Sequence, residues 1–141
     1  MMDKLLALLN REVANFGVLY IKLHNYHWYV KGTQFYTLHP LFEKLYDEAT
    51  EHLDTVAERM LMLGGKPAAT LKEFLELATI KEATGTETTN DMIKELIKDF
   101  ELIVKELDEV FEIGDEVTKD MVIGIQSSFQ KHIWMLKTYL M

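Results

Sequence analysis

Residues 64–88 read GGKPAATLKEFLELATIKEATGTET, from Gly64 to Thr88, and this segment decides how the rest of the chain is arranged. It opens with Gly64-Gly65 and Pro67, which stop a helix, and closes on a threonine-rich stretch around Gly85 that starts the next one. A helix hairpin needs only about 2–8 connecting residues, so a link this long is predicted to cross the whole length of a bundle and to leave its two flanking helices parallel. Inside it, Leu71–Ala78 (LKEFLELA) has the composition of a short helix.

Outward from this link, glycine and proline are sparse enough to mark the remaining breaks, at Gly32 and Gly114. Before Gly32, the residues Leu6, Leu9, Val13, Phe16, Tyr20, Leu23, His27 and Val30 recur at steps of three and four, which predicts a first helix from about Asp3 to Lys31. Leu41, Leu45, Leu53, Val56, Met60 and Leu63 define a second, with Pro40 at its start, where proline is tolerated. Ile93, Leu96, Phe100, Ile103, Leu107 and Val110 define a third, capped by Thr88 or Thr89 and ending before Gly114. Val122, Ile125, Phe129, His132, Leu136 and Tyr139 define a fourth, capped by Asp115 or Thr118. No strand alternation is evident. The predicted fold class is all-α: a ferritin-like four-helix bundle with a long crossover between the second and third helices, formed by residues 1–141 as a single domain.

Composition narrows the chemistry. At 48% hydrophobic and 27% charged the chain can bury a core, which excludes intrinsic disorder. The absence of cysteine removes disulfides, thiolate zinc sites, iron–sulfur clusters and cysteine nucleophiles, so any metal must be held by His, Asp and Glu. A net charge of −8 repels polyphosphate and attracts small cations. No long apolar run and no basic-then-apolar leader is present, and the expected localisation is cytoplasmic, with no membrane association.

Ferritin-like bundles usually build dinuclear sites within one chain from Glu-x-x-His pairs, and this sequence contains none. The second helix instead carries His39, Glu43, Asp54 and Glu58 on one side. Glu43 and Asp54 are about 16 Å apart along such a helix, too far to share an ion. The pair His39 and Glu58 and the pair Glu43 and Asp54 have the same midpoint, however. An antiparallel copy of the helix crossing near position 48 or 49 would set His39 beside Glu58 and Glu43 beside Asp54, creating two equivalent sites across a two-fold axis. His27 at the end of the first helix could add an imidazole to each. A mixed His and carboxylate set suits iron, manganese or zinc. The bland reading stands beside this one: a carboxylate stripe also describes a solvated face. His27 and His132 also fit hydrogen-bonded core residues, and His24-x-x-His27 also fits two rings that simply pack.

At these residues the chain resembles the Dps family of miniferritins. The resemblance is carried by Leu23-His24-Asn25-Tyr26-His27-Trp28-Tyr29-Val30-Lys31-Gly32, Phe35-Tyr36-Thr37-Leu38-His39, Asp54-Thr55-Val56-Ala57-Glu58-Arg59 and Lys131-His132-Ile133-Trp134-Met135-Leu136. It implies a hollow homo-oligomer of twelve subunits. Ferroxidase centres between subunits would bind two iron ions each, oxidise Fe2+ preferably with hydrogen peroxide, and deposit ferric mineral in the cavity. Asp54 and Glu58 of one subunit, with His27, His39 and Glu43 of its two-fold mate, would be the ligands, and Trp28 would lie close by as a quencher of stray one-electron oxidants. In many relatives the position of Glu43 is Asp, so an extra methylene here bears on the second iron. Iron entry is implied through acidic three-fold pores, for which Glu112, Glu116 and Asp120 are the candidates.

The competing expectation is a DNA-binding nucleoid-protecting protein. The acidic net charge and the lack of a basic tail in this sequence oppose direct nucleic-acid binding.

Overall fold

Every regular element in the computed structural model, which describes residues 1–141, is helical: α1 (Met2–Tyr29), α2 (Phe35–Met62), α3 (Leu71–Leu77), α4 (Thr89–Ile113) and α5 (Glu116–Tyr139). Pairings fix the directions. His27 of α1 meets His39 of α2 and Phe16 meets His52, so these helices run antiparallel about the turn at Gly32. Arg11 reaches Glu109 while Lys22 reaches Asp99, which makes α4 antiparallel to α1 as well. Consequently α2 and α4 are parallel, as the long link requires, and α3 sits within that link. Arg59 with Asp115 and Glu48 with His132 set α5 antiparallel to α2.

The core is the meeting of four apolar stripes. Phe16 from α1, Phe42 from α2, Phe100 from α4 and Phe129 from α5 are fully buried among Leu9, Leu23, Leu38, Ile93 and Leu96. Phe100 stacks on Phe129 with ring centres 4.7 Å apart. Each such side chain contributes about 1.5–3 kcal/mol on leaving water. No helix is long and apolar enough to cross a membrane.

Helix ends follow local chemistry. Thr88 caps α4 with a reciprocal box, its hydroxyl accepting from the Asp91 N–H at 3.1 Å and Asp91 accepting from the Thr88 N–H at 3.2 Å. Asp115 is the N-cap residue of α5, where it accepts from the Thr118 hydroxyl at 2.6 Å and from Arg59 at 2.7 Å. Pro40 is not at the start of α2: the helix begins at Phe35 and Pro40 lies in its second turn. Gly32, at φ 101°, turns the chain so sharply that helical bonding resumes at once, with Phe35 N–H donating to Gly32 and Leu38 N–H to Gln34. The extra turn buries Leu38 and brings His39 against α1. At the other side of this turn, α1 ends at Tyr29 rather than Lys31, because Val30 is extended.

The crossover is anchored by polar groups buried under it. Asn15 of α1 accepts from the backbone N–H groups of Thr79 and Ile80 at 2.8 and 3.2 Å and donates to Glu106 of α4 at 2.9 Å. Beside it, fully buried Glu12 accepts from Arg11 at 2.8 Å. Burial, then hydrogen bonding and charge from Glu106, push the Glu12 carboxyl up to about 8, against the pull of Arg11. A proton held on Glu12 relieves its repulsion with Glu106, and Arg11 lies 3.4 Å from Glu106 and 2.6 Å from the more exposed Glu109. Phe74 of α3 then docks over Gly17, where a Cβ would strike its ring.

Candidate metal centre

The short turn between α1 and α2 places residues 27 and 39 side by side, and their contact is reciprocal. His27 Nδ1 lies 2.6 Å from the His39 carbonyl, and His39 Nδ1 lies 2.7 Å from the His27 carbonyl. A carbonyl only accepts, so each Nδ1 carries the hydrogen and donates it. Both Nε2 lone pairs are therefore left for a ligand. The His27 carbonyl belongs to the last turn of α1, which has no helical donor, so the same bond closes the helix end. The imidazoles stack at 3.7 Å and 11°. Phe35 stacks on the outer face of His39 at 4.7 Å. Two ligand-type rings are thereby held in one orientation by both hydrogen bonding and packing, the outer-sphere support that metal-binding histidines use.

Glu43, one turn beyond His39, brings its carboxylate to 3.8 Å from His27 Nε2 and is otherwise exposed. Trp28 is 66% exposed beside this cluster, with its ring 5.3 Å from His24. His24 does not join the cluster. Its Nδ1 donates to the Tyr20 carbonyl at 2.8 Å and its ring stacks on Tyr46 at 3.7 Å.

Asp54 and Glu58 lie farther along α2, about 16 Å or more from Glu43 and His39 along the helix. The structure thus brings His27, His39 and Glu43 together and leaves Asp54 and Glu58 apart. No group of three or more His, Asp or Glu side chains within one chain is arranged to hold a metal ion. The set in hand is a half-site: two imidazole nitrogens and a carboxylate, borderline donors that fit iron or zinc.

Sequence reasoning passed over a second cluster. Glu48 of α2 accepts from His132 at 2.9 Å, from His52 at 3.0 Å and from Ser128 at 2.7 Å. Burial alone would raise its carboxyl, yet the donors from His132, His52 and Ser128 hold it well below the usual carboxylate range. Each oxygen is already engaged by a different imidazole, so the group ties α5 to α2. The signal was present as Glu48-x-x-x-His52, one helical turn apart. His132 is accordingly a hydrogen-bonded interior residue.

The pore candidates flank the junction of α4 and α5, with Glu112 in the last turn of α4 and Glu116 and Asp120 in the first turns of α5. Glu112, Glu116 and Asp120 are all exposed, and Glu116 is 3.9 Å from Lys119. Gly114, extended at φ −76° and ψ 154°, separates Glu112 from the other two, so a continuous helical ladder of carboxylates is not formed.

Comparison with known proteins gives concordant results. The ferritin-like domain family matches residues 6–141. The chain is 51% identical to general stress protein 20U of Bacillus subtilis, covering 99% of both sequences. It is 52% identical to a DNA protection during starvation protein of Brevibacillus brevis over 95% of this chain and 93% of that one. The crystal structure of a Dps protein from Bacillus brevis superposes with a TM-score of 0.98 at 48% identity, covering 99% of this chain and 97% of the other.

Proposed function

The chain belongs to the Dps family of ferritin-like proteins, and on that footing we propose that it is an iron-storing ferroxidase whose dinuclear sites are completed across a two-fold axis. The observation that carries this reading is the reciprocal His27–His39 lock, which leaves both Nε2 lone pairs free, that of His27 3.8 Å from the Glu43 carboxylate, in a set that does not by itself complete a metal site. A second subunit, with its α2 antiparallel, supplies the missing carboxylates, Asp54 and Glu58. Two Fe2+ ions are the substrates at each site. Each gives one electron to hydrogen peroxide, which with two protons leaves as two water molecules and no hydroxyl radical. The ferric product passes into the cavity of a closed homo-oligomer, for which twelve subunits is the expected number. Glu112, Glu116 and Asp120 are the proposed entry carboxylates, where a ring of negative charge raises the local cation concentration.

This reading makes protection of the cell a consequence of removing iron and peroxide together. The alternative reading, direct DNA contact, is favoured by the names of the relatives alone and opposed by the net charge of −8. The test is anaerobic loading with two Fe2+ per site followed by one peroxide, with ferric absorbance and residual peroxide recorded. Rapid oxidation at two Fe2+ per peroxide is expected for the native protein. Oxidation no faster than in buffer, with the assembly intact, would refute the reading.

A further inference from the structure

The half-site is the inner end of a continuous array of rings. Tyr46 of α2 stands edge-on to His27, with ring centres 5.4 Å apart at 86°. Its other side lies flat on His24 at 3.7 Å and 19°. His24 in turn contacts Trp28 at 5.3 Å and Tyr20 at 4.6 Å, and Tyr20 returns to Tyr46 at 5.9 Å. Phenol and indole are far easier to oxidise by one electron than imidazole, so within this array His24 is a bridge and Tyr46, Tyr20 and Trp28 are the places where an oxidising equivalent can come to rest. Tyr46 is the one of the three whose ring contacts a candidate ligand in this array, and it is part-exposed, so its proton can leave to water.

We infer that Tyr46 is a redox-active residue that stores one oxidising equivalent when peroxide meets a site holding a single ferrous ion. The inference rests on the ferroxidase reading above. With one Fe2+ present, that ion gives one electron to hydrogen peroxide, the O–O bond breaks, and one water (with a proton from solvent) and one hydroxyl radical result. Tyr46 gives an electron through the His27 contact and releases its phenolic proton to water. The hydroxyl radical takes up that electron and a proton and becomes water, leaving a neutral phenoxyl radical at Tyr46. A second Fe2+ arriving later reduces this radical with uptake of one proton, restoring the phenol. The sum is again two Fe2+ and two protons per peroxide, with two waters formed. Such a reserve matters most where the second iron position is the weaker one, and at Glu43 the carboxylate is 55% exposed and 3.8 Å from its neighbour rather than held tightly.

The test uses the assembled protein with one Fe2+ per site, mixed with one equivalent of peroxide and freeze-quenched for electron paramagnetic resonance, with a parallel spin-trap assay. The native protein is expected to give an organic radical whose spectrum narrows when the protein carries ring-deuterated tyrosine and which disappears when a second Fe2+ is added. Tyr46→Phe, which keeps the stack on His24, is expected to lose that signal and to trap several-fold more hydroxyl adduct. Persistence of the signal in Tyr46→Phe, or narrowing only with ring-deuterated tryptophan, would overturn the assignment in favour of another ring. The labelling of the native protein separates tyrosine from tryptophan even where the variant assembles poorly, and a signal kept in Tyr20→Phe is expected, its loss there overturning the assignment to Tyr46. Native protein that oxidises two Fe2+ per peroxide but shows no tyrosine radical at one Fe2+ refutes the reserve alone. Native protein that consumes iron and peroxide no faster than Asp54→Ala/Glu58→Ala refutes the ferroxidase reading and the reserve with it.

Discussion

The substitution Glu12→Gln should remove most of the pH dependence of stability near neutrality. In the folded chain the Glu12 carboxyl titrates at about 8, against an ordinary value of 4.5, because it is buried beside Glu106. A raised carboxyl pKa means that the folded state holds a proton that the unfolded chain has already released. Stability from this group is therefore fully present below about pH 4.5 and is lost as pH rises toward 8. At about 1.4 kcal/mol per pH unit, the loss between pH 5 and 8 is on the order of 4 kcal/mol for each chain. The glutamine amide offers a permanent N–H donor toward Glu106 and an oxygen for Arg11, while weakening the 3.2 Å contact from Asn15, at a cost of about 1 kcal/mol. The variant should therefore be slightly less stable than native at pH 5 and more stable by a few kcal/mol at pH 8. Denaturant titrations from pH 5 to 8, with oligomer concentration held constant, measure both slopes. Parallel curves for the two proteins would show that Glu12 is ionised at neutral pH and would refute the description of the crossover anchor as holding a proton on Glu12.

Other consequences are independent of this one. Gly17→Ala places a methyl against the Phe74 ring, so α3 must lift from α1; a loss of about 1–3 kcal/mol is expected in thermal or denaturant unfolding. Glu48→Ala strands the N–H groups of His52 and His132 and should cost about 3 kcal/mol at pH 7. Because the Glu48 pKa is depressed, that contribution exists above the ordinary carboxylate range and is lost as pH falls, so native and Glu48→Ala stabilities should converge in acid. His39→Ala frees the His27 carbonyl and removes one ligand; anaerobic Fe2+ titration should show weaker binding at every site. In gel-shift assays, duplex DNA should stay unbound at physiological salt without added divalent cation, and a shift surviving there would favour the nucleic-acid reading.

The helices were legible because every break between them carries glycine, at Gly32, Gly64-Gly65, Gly85 and Gly114, and the apolar spacing runs on between these breaks even across Gly17, Pro40 and Gly124 inside helices. The parallel placement of α2 and α4 followed from link length alone. What the pattern hid was burial of polar residues on α1. Glu12, Asn15 and Lys22 stand off the apolar stripe and read as solvent-facing, yet α3, the crossover and α4 cover that side of the helix. Their partners, Thr79, Glu106 and Asp99, are 64 or more residues away, and no local rule connects them. Pro40 misled because proline usually marks a first turn, whereas the Gly32 turn starts α2 five residues earlier. Of the candidate centre, spacing singled out His39 and Glu43 for a site across a two-fold axis and added His27; the structure stacks His27 on His39 and sets Glu43 3.8 Å from His27, and that the three hold metal is the proposal made above. The carbonyl lock that sets their tautomers was invisible, since it depends on backbone atoms of two helix ends. Asp54 and Glu58 cannot be placed against them in one chain, because their distance along α2 is fixed by helical rise.

The central claim, that each centre is shared by two subunits, is tested most directly by complementation. One variant loses His27 and His39 to Ala, the other loses Asp54 and Glu58 to Ala, and each alone should lack peroxide-driven Fe2+ oxidation. In a site shared across a two-fold axis, every mixed dimer regains one intact centre of its two. Co-assembly from an equal mixture should then restore about a quarter of the native number of fast sites. A mixture that assembles yet stays as inactive as its parents, or a parent variant that is active alone, would contradict the shared-site account.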